Sequence, residues 1–139
     1  MIEASCLCGT VRYRIDGPAS GIVECYCSMC RKAAGGAFGA FFVALRKDVA
    51  WSGVEALVHR QSSPGLVRTF CRHCGTAITG ANLAEPDDTI LLSAGALDGK
   101  PRLRVIAREH MASSPDWARN MEKAPSWDGA YPYWQSLRP

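Results

Sequence analysis

At 139 residues, with 47% hydrophobic and 21% charged residues, the chain has the make-up of a single soluble domain (1–139) able to bury its own core; neither disorder nor a fibrous repeat is expected. Its formal charge of +3 counts cysteine as neutral. If the seven cysteines hold two Zn²⁺ as thiolates, the chain comes to about zero and the charge argument for a nucleic-acid partner weakens. The opening residues, Met1-Ile2-Glu3-Ala4-Ser5-Cys6, lack the basic and apolar regions of an export signal. The longest apolar patch, Ala37 to Leu45, is broken by Gly39 and falls short of the about 20 residues that cross a bilayer. A cytoplasmic protein with reduced thiols is therefore expected.

Along the chain, Val11, Tyr13 and Ile15 alternate with Thr10, Arg12 and Arg14, which predicts a half-buried strand over Gly9 to Ile15, ended by the turn Asp16-Gly17-Pro18. Ile22 to Tyr26 reads as a second strand. Ser28 to Ala34 reads as about two turns of helix, with Ser28 as cap and Gly35-Gly36 as the stop. Phe38 to Ala44, Val49 to Trp51, Ala56 to His59, Leu66 to Phe70, Thr76 to Thr79, Ile90 to Ser93 and Leu103 to Ile106 are short, apolar and divided by turn formers, as antiparallel strands are. Glu85 to Asp88 and Leu97 to Pro101 read as turns. Ser114-Pro115-Asp116-Trp117 has the form of a helix start with Ser114 as cap. Ala124 to Pro139, with Trp127, Tyr131, Tyr133 and Trp134 in no clear period, reads as an irregular tail that packs over the sheet or covers a site.

The cysteines fall into two pairs and a triplet: Cys6-Leu7-Cys8, Cys25-Tyr26-Cys27-Ser28-Met29-Cys30 and Cys71-Arg72-His73-Cys74. On an extended backbone residues i and i+2 share a face, so each C-x-C can direct two sulfurs to one point. Cys71 to Gly75 is instead a tight knuckle, in which C-x-x-C gathers two thiolates and the following glycine lets the chain fold back. Seven thiols divide as four plus three, a closed site and an open one. The natural division joins Cys6, Cys8, Cys71 and Cys74 and leaves Cys25, Cys27 and Cys30 one ligand short, although other partitions have the same count. Disulfides fit poorly with an odd number of cysteines and a reducing compartment. The serious rival is a purely structural use of zinc: one closed site with spare cysteines, or two with His73, His59 or His110 as an eighth ligand. Such a chain would be a non-catalytic module binding protein or nucleic acid.

Three thiolates on Zn²⁺ leave a net −1, a weak Lewis acid that still binds a thiol as thiolate. The open position thus suits a thiol poised to add to a carbonyl.

Three blocks, Ser5-Cys6-Leu7-Cys8-Gly9-Thr10-Val11-Arg12-Tyr13, Cys25 to Lys32 with Gly36-Ala37-Phe38, and Phe70-Cys71-Arg72-His73-Cys74-Gly75-Thr76, resemble the glutathione-dependent formaldehyde-activating (GFA) family, whose zinc sites are similar to those of centromere protein V-like proteins. Ser93 to Asp98 and His110 with Pro115-Asp116-Trp117 extend the resemblance over nearly the whole chain. It implies a mainly-β, zinc-stabilised Mss4-like fold of coiled antiparallel sheets with short helices. It also implies a structural zinc on Cys6, Cys8, Cys71 and Cys74, and a labile catalytic zinc on Cys25, Cys27 and Cys30. The implied reaction is a carbon–sulfur lyase reaction in its reverse sense, addition of glutathione to formaldehyde or a related small carbonyl to give S-hydroxymethylglutathione. One position departs: the family commonly has His between the first two cysteines of the triplet, and here it is Tyr26. A residue between two ligands on a strand faces the other way, so zinc binding is expected to survive.

Arg31 and Lys32 follow the triplet and are candidate partners for a glutathione carboxylate; a solvated helix face is the alternative. His110 and Trp117 are weighed as site-lining against core residues, and His73 is expected to face solvent. Arg102, Arg104 and Arg108 alternate as on the outer face of one strand.

Overall fold

The computed structural model describes residues 1–82, 88–119 and 121–130. Within these residues ten strands form two sheets. In the smaller, β1 (Ile2–Ser5), β2 (Arg12–Ile15) and β5 (Val49–Ser52) pair antiparallel in the order β1-β2-β5. The larger has the order β10-β3-β4-β9-β8-β7-β6. Its strands are β3 (Ile22–Cys25), β4 (Gly39–Leu45), β6 (Leu57–Ser63), β7 (Leu66–Cys71), β8 (Ala77–Asn82), β9 (Thr89–Ser93) and β10 (Val105–Glu109). The one α-helix among the described residues, α1 (Ser28–Ala34), follows β3 directly.

Alternation places the core between the sheets. Tyr13 and Ile15 of β2 turn inward while Arg12 and Arg14 stay in water, and Ile90 and Leu92 do the same on β9. With Val11, Phe42, Ala44 and Ile78 they make one apolar cluster that also contains Cys6 and Cys71. Complete burial of a side chain the size of Phe42 or Ile78 contributes about 2–3 kcal/mol. The mainly-β architecture read from the sequence is present.

Several local expectations need correction. The first predicted strand begins at Arg12, because Cys6 to Val11 form a turn, and β6 runs on to Ser63. The helix cap is Cys27 and not Ser28: the Cys27 sulfur accepts from the Cys30 amide at 3.3 Å. Gly35 ends the helix in the left-handed region at φ 68°, where a residue without Cβ fits freely. Ser114 is not a helix N-cap: it closes the preceding 3₁₀ turn, Met111–Ser113, and the chain then makes a single 3₁₀ turn, Asp116–Ala118, capped by Pro115. The last strand starts at Val105, two residues later than its pattern suggested, and pairs parallel with β3. Strand alternation reports which face is buried but not the direction of the neighbour. Here residues 94–104 cross from β9 to the far side of β3, so β10 arrives running the same way. Residues 124–130 carry no regular structure, and the expected covering role of the tail beyond them, like the turn over 85–87, lies outside the described residues.

Candidate metal centres and the adjoining cavity

Cys6, Cys8, Cys71 and Cys74 converge with all four sulfurs within 4.8 Å of one another. Two knuckles clasp here. In the first, which follows β1, the Gly9 amide donates to the Cys6 carbonyl at 2.8 Å and Gly9 takes φ 74°. In the second, between β7 and β8, the Gly75 amide donates to the Cys71 carbonyl at 2.9 Å and Gly75 takes φ 76°. The first pair is thus a turn, not the extended chelate predicted for it. A hydrogen bond from the Leu7 amide to the Thr76 hydroxyl, 3.0 Å, ties one knuckle to the other. The sulfurs of Cys6 and Cys8 are 3.4 Å apart, and those of Cys8 and Cys71 3.8 Å. Four sulfurs about 2.3 Å from a tetrahedral Zn²⁺ stand about 3.8 Å apart, so this donor set fits the ion. Burial pushes the Cys71 thiol up to about 11, while hydrogen bonds with the Thr76 hydroxyl and amide draw Cys74 down to about 5.

Cys25, Cys27 and Cys30 form the second cluster, again with sulfurs within 4.8 Å of one another. Cys25 ends β3, Cys27 is the extended helix cap, and Cys30 points inward from the first turn of α1. Here the C-x-C chelate on extended backbone is as the spacing predicts. Burial pushes the Cys25 thiol up. At Cys27 burial also acts upward, but hydrogen bonds from the Cys30 amide and from the thiols of Cys30 and Cys25 outweigh it and the thiol is lowered. Three soft sulfurs with one tetrahedral position to spare fit zinc in an open site. All seven cysteines of the chain are unbridged.

The triplet opens on a cavity of about 510 Å³ with mostly apolar walls, among them Val23, Phe41, Val43, Leu66 and Leu91. No cysteine of the four-sulfur cluster lines it. Among the described residues its one arginine is Arg68 of β7, whose guanidinium donates to the Cys30 sulfur at 3.5 Å and to the Ser62 hydroxyl at 3.2 Å. Sequence reading missed Arg68. The available signal was a lone charge inside the apolar strand Leu66-Val67-Arg68-Thr69-Phe70, too costly to face a core without a purpose.

Tyr26 faces away from the sulfurs, as the position between two ligands requires. It is buried on the reverse of β3, packs with its ring 5.2 Å from that of Phe38 at a tilt of 44°, and donates from its hydroxyl to Glu24 at 3.2 Å. Arg108 reaches over from β10 to the same carboxylate oxygen at 3.0 Å. Arg108 is therefore an ion-pair partner; Arg102 and Arg104 precede β10, and the three do not form a stripe on one strand.

Arg31 and Lys32 lie in the last turn of α1, where cations complement the helix dipole, and neither lines the cavity. His73 is exposed on its knuckle, and His59, which hydrogen-bonds Thr69 at 3.0 Å, belongs to neither cluster. Trp117 is exposed and outside the cavity wall. His110 does line it, beside Glu109, and ligand atoms of Cys25, Glu109 and His110 lie within 4.8 Å of one another. His110 is the only non-glycine residue with positive φ among those described, at 55°, a conformation that costs a side-chain-bearing residue about 1–2 kcal/mol.

Fold and clusters together define a mainly-β protein with two cysteine centres able to hold metal, one closed and one opening on a cavity. The family described as glutathione-dependent formaldehyde-activating enzyme matches residues 1–113, and the chain belongs to that family. A protein of Halomonas elongata named "Putative glutathione-dependent formaldehyde-activating enzyme" is 32% identical over 128 residues, covering 84% of this chain and 79% of that protein. A crystal structure of a Rhodobacter sphaeroides protein shares the fold, with a TM-score of 0.58 at 22% identity over 76% of this chain and 98% of that one. No helix among the described residues is long and apolar enough to cross a membrane.

Proposed function

We propose that the chain is a zinc-dependent carbon–sulfur lyase of the S-(hydroxymethyl)glutathione synthase type, working at Cys25, Cys27 and Cys30 and taking glutathione and formaldehyde or a related small carbonyl. The observation that carries this reading is that the three-sulfur cluster opens on the cavity whereas the four-sulfur cluster does not. Cys6, Cys8, Cys71 and Cys74 then hold a structural zinc within one domain spanning residues 1–139. At the triplet the ion supplies a position that stabilises a substrate thiol as thiolate near neutral pH.

The remaining work falls to side chains. Three thiolates around a divalent ion leave one negative charge, and the Arg68 guanidinium beside Cys30 offsets it. Arg68 also gives a bound peptide thiol a cation for a carboxylate, the task the sequence suggested for Arg31 and Lys32. The apolar walls around Phe41 and Leu91 keep water from competing with the small carbonyl. The bond formed joins sulfur to carbon, the carbonyl π bond breaks, and the thiol proton ends on the new hydroxyl. Seven unbridged thiols suit a cytoplasmic setting.

The test is to titrate glutathione into the zinc-loaded protein and follow formaldehyde exchange by NMR with and without it. Saturable binding and faster exchange are expected; the absence of both would overturn the reading.

A further inference from the structure

We propose that His110 is the fourth donor of the metal site at Cys25, Cys27 and Cys30, so that the site's open position is filled by an imidazole until a ligand displaces it. The register of the parallel pair sets this up: Arg108 lies beside Glu24 and Glu109 beside Cys25. Arg108 points to the reverse face of β3, where it holds Glu24, and Glu109 to the face of the sulfurs. Strict alternation would carry His110 to the reverse face again. It does not go there. The chain leaves the strand at His110 in the left-handed conformation, φ 55° and ψ 35°, and this turn brings the ring to the same side as Glu109 and Cys25. Glycine would make that turn without strain, yet the position holds a residue with a metal-binding ring.

Distance and charge agree. A nitrogen and a sulfur on one tetrahedral zinc stand about 3.5 Å apart, and the His110 ring is already within 4.8 Å of the Cys25 sulfur. The ring is exposed, so rotation about its side-chain bonds can bring it toward Cys27 and Cys30. Among the donors beside Cys25, neutral imidazole keeps a three-thiolate zinc site at −1, whereas the Glu109 carboxylate would take it to −2. Glu109 is better placed as the acceptor for the ring's other N–H, the usual partner of a ligating histidine. On the reading under "Proposed function", the incoming thiol takes the place of His110.

The test loads Co²⁺ into the labile site, with zinc kept in the four-cysteine site, and compares wild type with His110→Gly, a change that keeps the left-handed turn, and with Glu109→Gln. Wild type should show the absorption of a four-coordinate site with three sulfurs and one nitrogen. His110→Gly should lose that signature and bind Co²⁺ at least about 10-fold more weakly, with added imidazole restoring the spectrum. Identical spectra and affinities for wild type and His110→Gly overturn the proposal, as does a loss confined to Glu109→Gln. Glutathione should convert the nitrogen-ligated spectrum to a four-sulfur one. A nitrogen-ligated spectrum that ignores glutathione would sink the thiol reading while supporting His110 as ligand.

Discussion

The two cysteine clusters are made of the same donors but differ in what they connect. The closed cluster takes Cys6 and Cys8 from the start of the chain and Cys71 and Cys74 from the β7–β8 turn, so a metal there closes a loop of about 60 residues and joins the two sheets. The three cysteines of the triplet lie within six residues at the junction of β3 and α1 and close no long loop among themselves, and the distant donor proposed for the site, His110, is displaceable. A cross-link removes entropy from the unfolded chain in proportion to the logarithm of the loop it closes, so a metal in the first centre would carry stability and one in the second could bind and leave without unfolding the chain. On the proposed function, chemistry would sit where stability does not depend on it.

The sharpest way to break this comparison is a pair of substitutions. Cys74→Ser should abolish or greatly lower the cooperative melt followed by circular dichroism, by on the order of 10 °C or more. Cys27→Ser should move it by no more than about 3 °C while removing turnover; equal collapse of both variants would mean both centres are structural. Metal analysis should agree, with mild chelation removing one zinc of two and leaving the melt nearly in place.

A smaller effect belongs to the cavity. Arg68→Gln should raise KM for glutathione about 10-fold, the worth of a charge-assisted hydrogen bond, while Lys32→Ala leaves it within about 2-fold. The reverse order would return the carboxylate to the helix. On the far side of β3, Tyr26→Phe removes one hydrogen bond to the buried Glu24 carboxylate, so stability should fall by about 1 kcal/mol with turnover kept. Loss of turnover in that variant, with the melt intact, would give Tyr26 a direct role. The smallest difference concerns the thiols once the labile metal is gone. Cys27 is lowered and partly exposed, and Cys25 is raised and buried, so at pH 7 iodoacetamide should label Cys27 first by peptide mass spectrometry.

Much of the fold was legible because apolar alternation survives any strand partner: Tyr13 and Ile15, or Ile90 and Leu92, had to turn to one side. Where local geometry depended on a turn, the pattern misled. Cys6-Leu7-Cys8-Gly9 looks extended by spacing, but the backbone bond from Gly9 back to Cys6 makes it a knuckle. Likewise Ser28 has a capping side chain, yet the Cys27 sulfur reaches the Cys30 amide first.

The sequence by itself determined the donors: seven cysteines, their spacings, and a residue between Cys25 and Cys27 that would face away from the sulfurs. Only tertiary structure decided what surrounds them. Arg68 is 38 residues from Cys30 and Glu24 is 84 from Arg108, separations that no local period encodes. The parallel strand β10 meets β3 as its neighbour in the sheet, whereas β7 stands four strands from β3 and its Arg68 reaches Cys30 of α1 directly; both placements follow from how distant strands bury one shared core.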